Sequence, residues 1–457
     1  MLPTWAWGLV AACSGLVAYT SLAGSAPVTS FLVIGAVFGL GFVALAYRDL
    51  AAGLALFTFL TFYDTAGATV TPGFTFSKLA GMVLALIWVF RIVTPGNRGP
   101  LLFRDQPILA SVTLALAGWV LLSTLWVPEF TTGLGEAFRF FQGVILVFVV
   151  FTAITRARDV RLLILAFVSG AMLAAVLGLT SSPAANGGRI SGGFDDPNEL
   201  AAVVVPGMML AGFAFLAYRG RWFRWGFAAC VPILGLALLR ADSQGGIVAL
   251  TVGALFAVIF GGSARKVIAP VVAALLTVGV IEFVLLAPAS HLTEGGASRK
   301  DLWRLGLYVA HDHPFFGVGA GGFTQVEPSY AIANLSLVRI DLVAKAYVVH
   351  NTYLNVLTDY GLVGLTLFVS LGVMALALGV QAAWAFSRSG DRQMELISRG
   401  VVCAVIAMMT AYTFISAQYE KQLWLLGGLC AALYNVTPKV RRLQARTLDR
   451  GASDRGS

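Results

Sequence analysis

Long apolar stretches alternate with short polar breaks from the first ten residues to about residue 436. A helix needs roughly 20 mostly apolar residues, rising about 1.5 Å each, to cross a bilayer, because lipid offers no partner to backbone N–H and C=O groups. On that measure the pattern predicts spans at 3–22, 28–46, 50–64, 76–93, 107–127, 134–154, 161–180, 198–218, 222–239, 243–262, 266–286, 350–382, 395–416 and 418–436. The third is short enough to be re-entrant, so 12–14 transmembrane helices are expected. The predicted fold is therefore all-α and polytopic. Residues 1–286 carry the first eleven helices, 287–349 form one long loop, 350–436 carry the last three, and 437–457 form a disordered basic tail.

Composition agrees with the pattern: 58% hydrophobic and 12% charged residues describe an integral membrane protein rather than a soluble domain. Ala23-Gly24-Ser25-Ala26 resembles a signal-peptidase site, but no Lys or Arg precedes the first apolar run, so that run is read as a retained helix. Cys13, Cys230, Cys403 and Cys430 all fall inside apolar spans without C-x-x-C spacing, which points to neither a disulfide frame nor a zinc site.

Basic residues mark the cytoplasmic side of short loops. Alternate loops hold Arg48; Arg91, Arg98 and Arg104; Arg156, Arg158 and Arg161; Arg219, Arg221 and Arg224; Arg265 and Lys266; Arg388, Arg392 and Arg399; and the tail from Lys439. These 21 of the 31 basic residues predict cytoplasmic termini and an extracytoplasmic long loop. The net charge of +9 then needs no nucleic-acid partner, since a retention signal and a tail against anionic lipid account for it.

The exceptions carry the chemistry. Arg189 in "NGGRISGGFDDPNEL", Arg240 in "LLRADSQGG", and Arg299, Lys300, Arg304, Arg339 and Lys345 in the long loop fall on the side that should be poor in Arg. Each alone is open to a snorkelling explanation. Together they point to a shared anionic ligand, and a planar guanidinium fork suits a diphosphate. In "FDDPNE", Asp195, Asp196 and Glu199 are possible oxygen ligands for a divalent metal, but Asp196 as N-cap, Pro197 at the first helical position and Glu199 at the third make a better helix start. No metal site is assigned.

"SQGG" at 243–246 and "FFGVGAGGF" at 315–323 read as tight turns, since neither has a P-loop lysine. Leu302, Leu305 and Val309 recur at helical spacing beside Trp303, as in a helix lying on the outer leaflet. His311 and His313 read as loop-surface groups. His350 opens "HNTYLNVLTDYGLVGLTLF" at the border between the polar loop and an apolar run, where a neutral imidazole can take a proton from a hydroxyl or, on the plainer reading, cap a helix.

Several stretches resemble one family. "HNTYLNVLTDYGLVGL" is similar to the H-N-x-Y-L … G-L-x-G-L signature of the O-antigen ligase superfamily, which also includes O-antigen polymerases and protein O-oligosaccharyltransferases. "RISGGFDDPNELA" resembles its R-x-x-G-x-F-x-x-P-N-x-L-A, and "WRLGLYVAHDHPFFGVGAGGF" its W … H-P-x-x-G-x-G-x-G-x-F. The resemblance implies a metal- and cofactor-independent, inverting glycosyltransferase of the C type at the outer face of the cytoplasmic membrane. The donor would be an undecaprenyl-diphosphate-linked glycan, the acceptor a glycan or lipid-linked hydroxyl, and membrane lipids the surroundings. Arg189 would hold the diphosphate and His350 would assist the acceptor. Many members read Ser-Arg-Gly where this chain has Ser243-Gln244-Gly245, so Arg240 either reaches the same phosphate from one turn away or that contact is lost. Arg299 and Arg304 are further candidates for substrate binding, as are Asn351 and Tyr353 beside His350. Ligase and polymerase stay equally open. The rival class is a secondary transporter or flippase, for which Glu282 and the pair Glu136/Arg139 are the intramembrane ionisable candidates.

Overall fold

The computed structural model describes residues 39–62, 76–94, 99–181, 188–267, 269–270, 294–334 and 347–438. Among these residues the chain forms helices and turns without a strand, an all-α polytopic membrane protein. The helices are α1 (Leu50–Leu60), α2 (Phe76–Val93), α3 (Pro107–Ser123), α4 (Phe130–Ala153), α5 (Ala157–Thr180), α6 (Pro197–Ala217), α7 (Arg221–Ala241) and α8 (Gln244–Phe260). They continue as α9 (Glu294–Asp312), α10 (Phe323–Ala333), α11 (Thr352–Ser389), α12 (Arg392–Ala411) and α13 (Lys421–Ala432).

Six helices among the described residues, α4, α5, α6, α7, α11 and α12, are long and apolar enough to cross a membrane; α1, α3 and α8 are apolar but shorter. Of the expected spans, 3–22 and nearly all of 266–286 lie outside the described residues, as do residues 28–38 of the second; the tail from Lys439, Glu282, Arg339 and Lys345 lie outside them too.

Small residues set how closely the helices approach. A Cβ on Gly253 of α8 would lie 2.8 Å from the Ala407 Cβ of α12, and one on Gly400 of α12 would lie 2.5 Å from the Phe213 Cβ of α6. Side-chain packing and close backbone approach, rather than the hydrophobic effect, hold helices together in lipid. α12 is accordingly the centre of the bundle, packed against α6, α8 and α11, with Val401, Val402, Cys403 and Met408 fully buried. Large apolar side chains such as Ile108, Leu125 and Ile259 point outward, as a lipid-facing surface requires.

Between α8 and α11, residues 294–334 fold as a small helical cap. Leu302, Leu305 and Val309 do not face lipid, contrary to the reading of that stripe as an outer-leaflet surface. They are buried against Tyr330, Ala331 and Tyr347, and against Val318, Phe323 and Val349. A 3.6-residue apolar period cannot distinguish a protein partner from a membrane, and here α10 and the residues before α11 provide the partner.

Candidate active site

α6 starts as its sequence predicts. Asp196 is the N-cap and accepts the Asn198 N–H at 2.7 Å, with Pro197 at the first helical position. Asn198, buried, then links three elements. Its amide donates to Asp196 Oδ1 at 2.6 Å, and its Oδ1 accepts from Ser243 Oγ at 2.8 Å and from Arg189 Nη2 at 3.4 Å. Ser243 is the N-cap of α8, accepting the Gly246 N–H at 3.1 Å. Arg189 also donates through Nε to the Ala241 carbonyl at 2.9 Å, at the end of α7, while the Ile190 N–H donates to the Arg240 carbonyl at 3.2 Å. The positive ends of α6 and α8 therefore open beside the Arg189 guanidinium, an arrangement suited to an anion.

His350 sits just before the N-terminus of α11, in the left-handed region at φ 54°. That conformation is uncommon for a residue with a side chain. The next residues hold it in place. Asn351 caps α11 by accepting the Leu354 N–H at 3.0 Å, Thr352 donates its N–H to Tyr412 O at 2.9 Å and its hydroxyl to Ile415 O at 2.7 Å, and Tyr353 donates its hydroxyl to Met409 O at 2.8 Å. Asn351 and Tyr353 thus spend these groups on anchoring His350. Under this helix start lies an apolar cleft of about 60 Å³ bordered by Tyr353, Phe368, Met409 and Trp424.

The cap brings a second guanidinium to the site. Gly306 of α9 packs on Leu354 and Val349, where a Cβ would approach Leu354 Cδ2 to 3.0 Å, so α9 lies against the His350 turn. Arg299, in the second turn of that helix, is in electrostatic reach of Asp196 and Arg189. Burial, together with Arg189, pulls its basicity below the usual range, and Asp196 pushes it back. His350 is held below its ordinary pKa, first by burial and then by the Arg299 guanidinium, with Asp196 acting in opposition. Arg189 and Asp196 of the loop before α6, Arg299 of α9 and His350 before α11 are thus joined by electrostatic reach into one cluster drawn from three chain segments.

The side chains of the other sequence candidates make no hydrogen bond or ion pair with this cluster among the described residues. Arg304 is exposed and pairs with Asp301 at 3.4 Å. Arg240 meets the Arg189 segment through its carbonyl, and its exposed side chain makes no hydrogen bond or ion pair among the described residues. His311 and His313 are exposed. Glu136 and Arg139 form a local pair at 3.1 Å.

Sequence reading missed how two of the motifs fit each other. α11 breaks at Gly361, at φ 67° and ψ −169°, and the glycine-rich loop enters the break. Val318 and Gly319 donate their N–H groups to Thr358 O and Asp359 O, both at 2.9 Å, and Leu362 donates to Pro314 O at 2.8 Å. The buried Asp359 carboxylate accepts the Phe323 N–H at 3.0 Å and the Asn355 amide at 2.7 Å. Backbone groups orphaned by a helix break must find partners. Here the loop supplies them, which fixes the cap to the helix that carries His350. The signal in the sequence was Gly361 itself, an isolated glycine in a helical run.

The fold and cluster define a polytopic helical membrane protein with guanidinium groups and an imidazole gathered at one end of its bundle. Residues 199–369 match the O-antigen ligase family model, which places this segment in the O-antigen ligase and polymerase superfamily. The matched segment includes Arg299 and His350 and begins ten residues after Arg189. A comparison with curated proteins gives no match. The family supports a glycan-transferring enzyme with lipid-linked substrates.

Proposed function

We propose that the chain transfers a glycan from an undecaprenyl-diphosphate carrier to an acceptor hydroxyl, with inversion and without a metal, at the outer face of the cytoplasmic membrane. Arg299, in electrostatic reach of both Arg189 and His350, carries this reading. Breaking the bond between the sugar and the diphosphate leaves negative charge on the departing phosphate, and prepositioned guanidinium groups with the α6 and α8 N-termini would stabilise it. The acceptor oxygen forms the new glycosidic bond as the old one breaks. Its proton passes to His350, whose environment favours the neutral imidazole. The apolar cleft below Tyr353 suits part of the prenyl chain. The alternating loops that hold 21 of the 31 basic residues put Arg189, Arg299 and His350 on the opposite side, which supports the outer face.

The test is the pH profile of kcat/KM. Because the folded-state pKa of His350 is depressed, the rate should be full above the ordinary imidazole value of about 6.5 and should fall only as pH drops through a lower inflection. Arg299→Gln removes a group that lowers this pKa, so the inflection should move up; Asp196→Asn keeps the cap but removes a group that raises it, so the inflection should move down. A profile that neither substitution moves would contradict His350 as the proton acceptor. The sign for stability is fixed as well: below about pH 6.5 the unfolded chain takes up the His350 proton first, so the fold loses stability as pH falls through that window.

A further inference from the structure

A second cavity, of about 460 Å³, lies at the far end of α11 and is lined by Gln381, Trp384, Ala385, Arg388, Tyr434 and Thr437. Arg388 is 27 residues beyond the break at Gly361, which at 1.5 Å each is about 40 Å along the continuous part of α11. A bilayer including headgroups is about 40–45 Å thick. If His350 lies at one surface, this cavity lies at headgroup level on the other.

The walls are built rather than incidental. Trp384 is packed by Arg399, whose guanidinium carbon lies 5.3 Å from the Trp384 ring centre and 4.9 Å from that of Phe260. Arg399 is buried, paired with Glu395 at 2.9 Å, and donates to the Phe260 carbonyl. Opposite, the turn carrying Tyr434 is pinned by the buried Asn435, which donates to Phe151 O at 2.9 Å. No carboxylate lines the cavity among the described residues, and neither the Arg388 guanidinium nor the Tyr434 hydroxyl has a hydrogen-bond partner there. The sequence continues with Lys439, Arg441 and Arg442.

A guanidinium fork, a phenol hydroxyl and an amide are donors for phosphate oxygens. The face of α11 that lines the cavity also continues as exposed apolar surface. Val373 and Ala377 precede Gln381, Trp384 and Arg388 at steps of four, four, three and four residues, one stripe of a helix. We propose that this cavity binds the phosphodiester headgroup of one anionic phospholipid, with an acyl chain lying along Val373 and Ala377. Basic pockets between membrane helices are suited to such headgroups, and an aromatic wall is suited to the interface.

The test uses the full chain in nanodiscs of phosphatidylcholine alone or mixed with phosphatidylglycerol, with retained lipid counted by native mass spectrometry. One phosphatidylglycerol should be retained about fivefold over phosphatidylcholine, Arg388→Gln should bring retention to the phosphatidylcholine level, and Arg388→Lys should fall between. Each variant should unfold at the wild-type temperature in phosphatidylcholine, which separates loss of the site from loss of the fold. Equal retention of both lipids, or retention that Arg388→Gln leaves unchanged, overturns the proposal. So does Arg388-dependent stabilisation by inorganic phosphate without any retained lipid, because it would assign the cavity to a free anion.

Discussion

His350→Asn should lower glycan transfer by about 10²–10⁴-fold, the range for losing a positioned acid or base, while the protein unfolds at the wild-type temperature. Asparagine is the informative replacement because the backbone at this position is left-handed, which asparagine tolerates better than most residues. Alanine should lower transfer equally and cost little stability, because His350 already carries the left-handed strain of a residue with a Cβ. The two variants together separate chemistry from folding. The check is product formation from a lipid-diphosphate glycan beside thermal unfolding of the same preparations. Near-normal turnover in either variant would remove His350 from the chemistry.

Gly361→Ala should be among the most damaging single-methyl changes at the described residues. The added Cβ would fall on the Phe315 carbonyl and within 2.5 Å of Phe316 N, in a backbone conformation that L side chains rarely adopt. The glycine-rich loop would have to leave the break in α11, and Val318, Gly319 and Leu362 would lose their backbone partners. Strain plus orphaned polar groups in a low-dielectric setting cost about 3 kcal/mol or more. Thermal unfolding in detergent should show a large fall, and transfer should drop with it because the cap bearing Arg299 loses its hold on the helix bearing His350. A stable, active Gly361→Ala protein would show that the joint is incidental.

Much of this was legible in the sequence because the bilayer is a demanding solvent. Only a helix satisfies its own backbone there, so apolar runs such as 134–154 and 198–218 reappear as α4 and α6 within a few residues. The α6 start was legible for a local reason: Asp196, Pro197 and Glu199 are cap chemistry readable within four positions. Less could be read where the partner is distant. Leu302, Leu305 and Val309 show a period but not the α10 surface they meet, and Asn198 and Ser243, 45 positions apart, show no sign of their shared hydrogen bond. The basic candidates divided for the same reason. Arg299 and Arg304 are equivalent in the sequence, but five residues along α9 turn them to different faces, one toward Arg189 and one toward Asp301.

The central claim is that paired guanidinium groups hold a lipid-linked diphosphate beside the His350 imidazole. The most direct measurement mixes the purified protein, in buffer with a divalent-metal chelator, with an undecaprenyl-diphosphate glycan and a panel of hydroxyl acceptors, and reads product mass. Glycan mass should appear on an acceptor with free undecaprenyl diphosphate released in equal amount, and Arg189→Gln should raise the donor concentration needed by more than tenfold, as expected on losing a bidentate phosphate contact. Donor that stays intact with every acceptor, or transfer that Arg189→Gln leaves unchanged, would contradict the account.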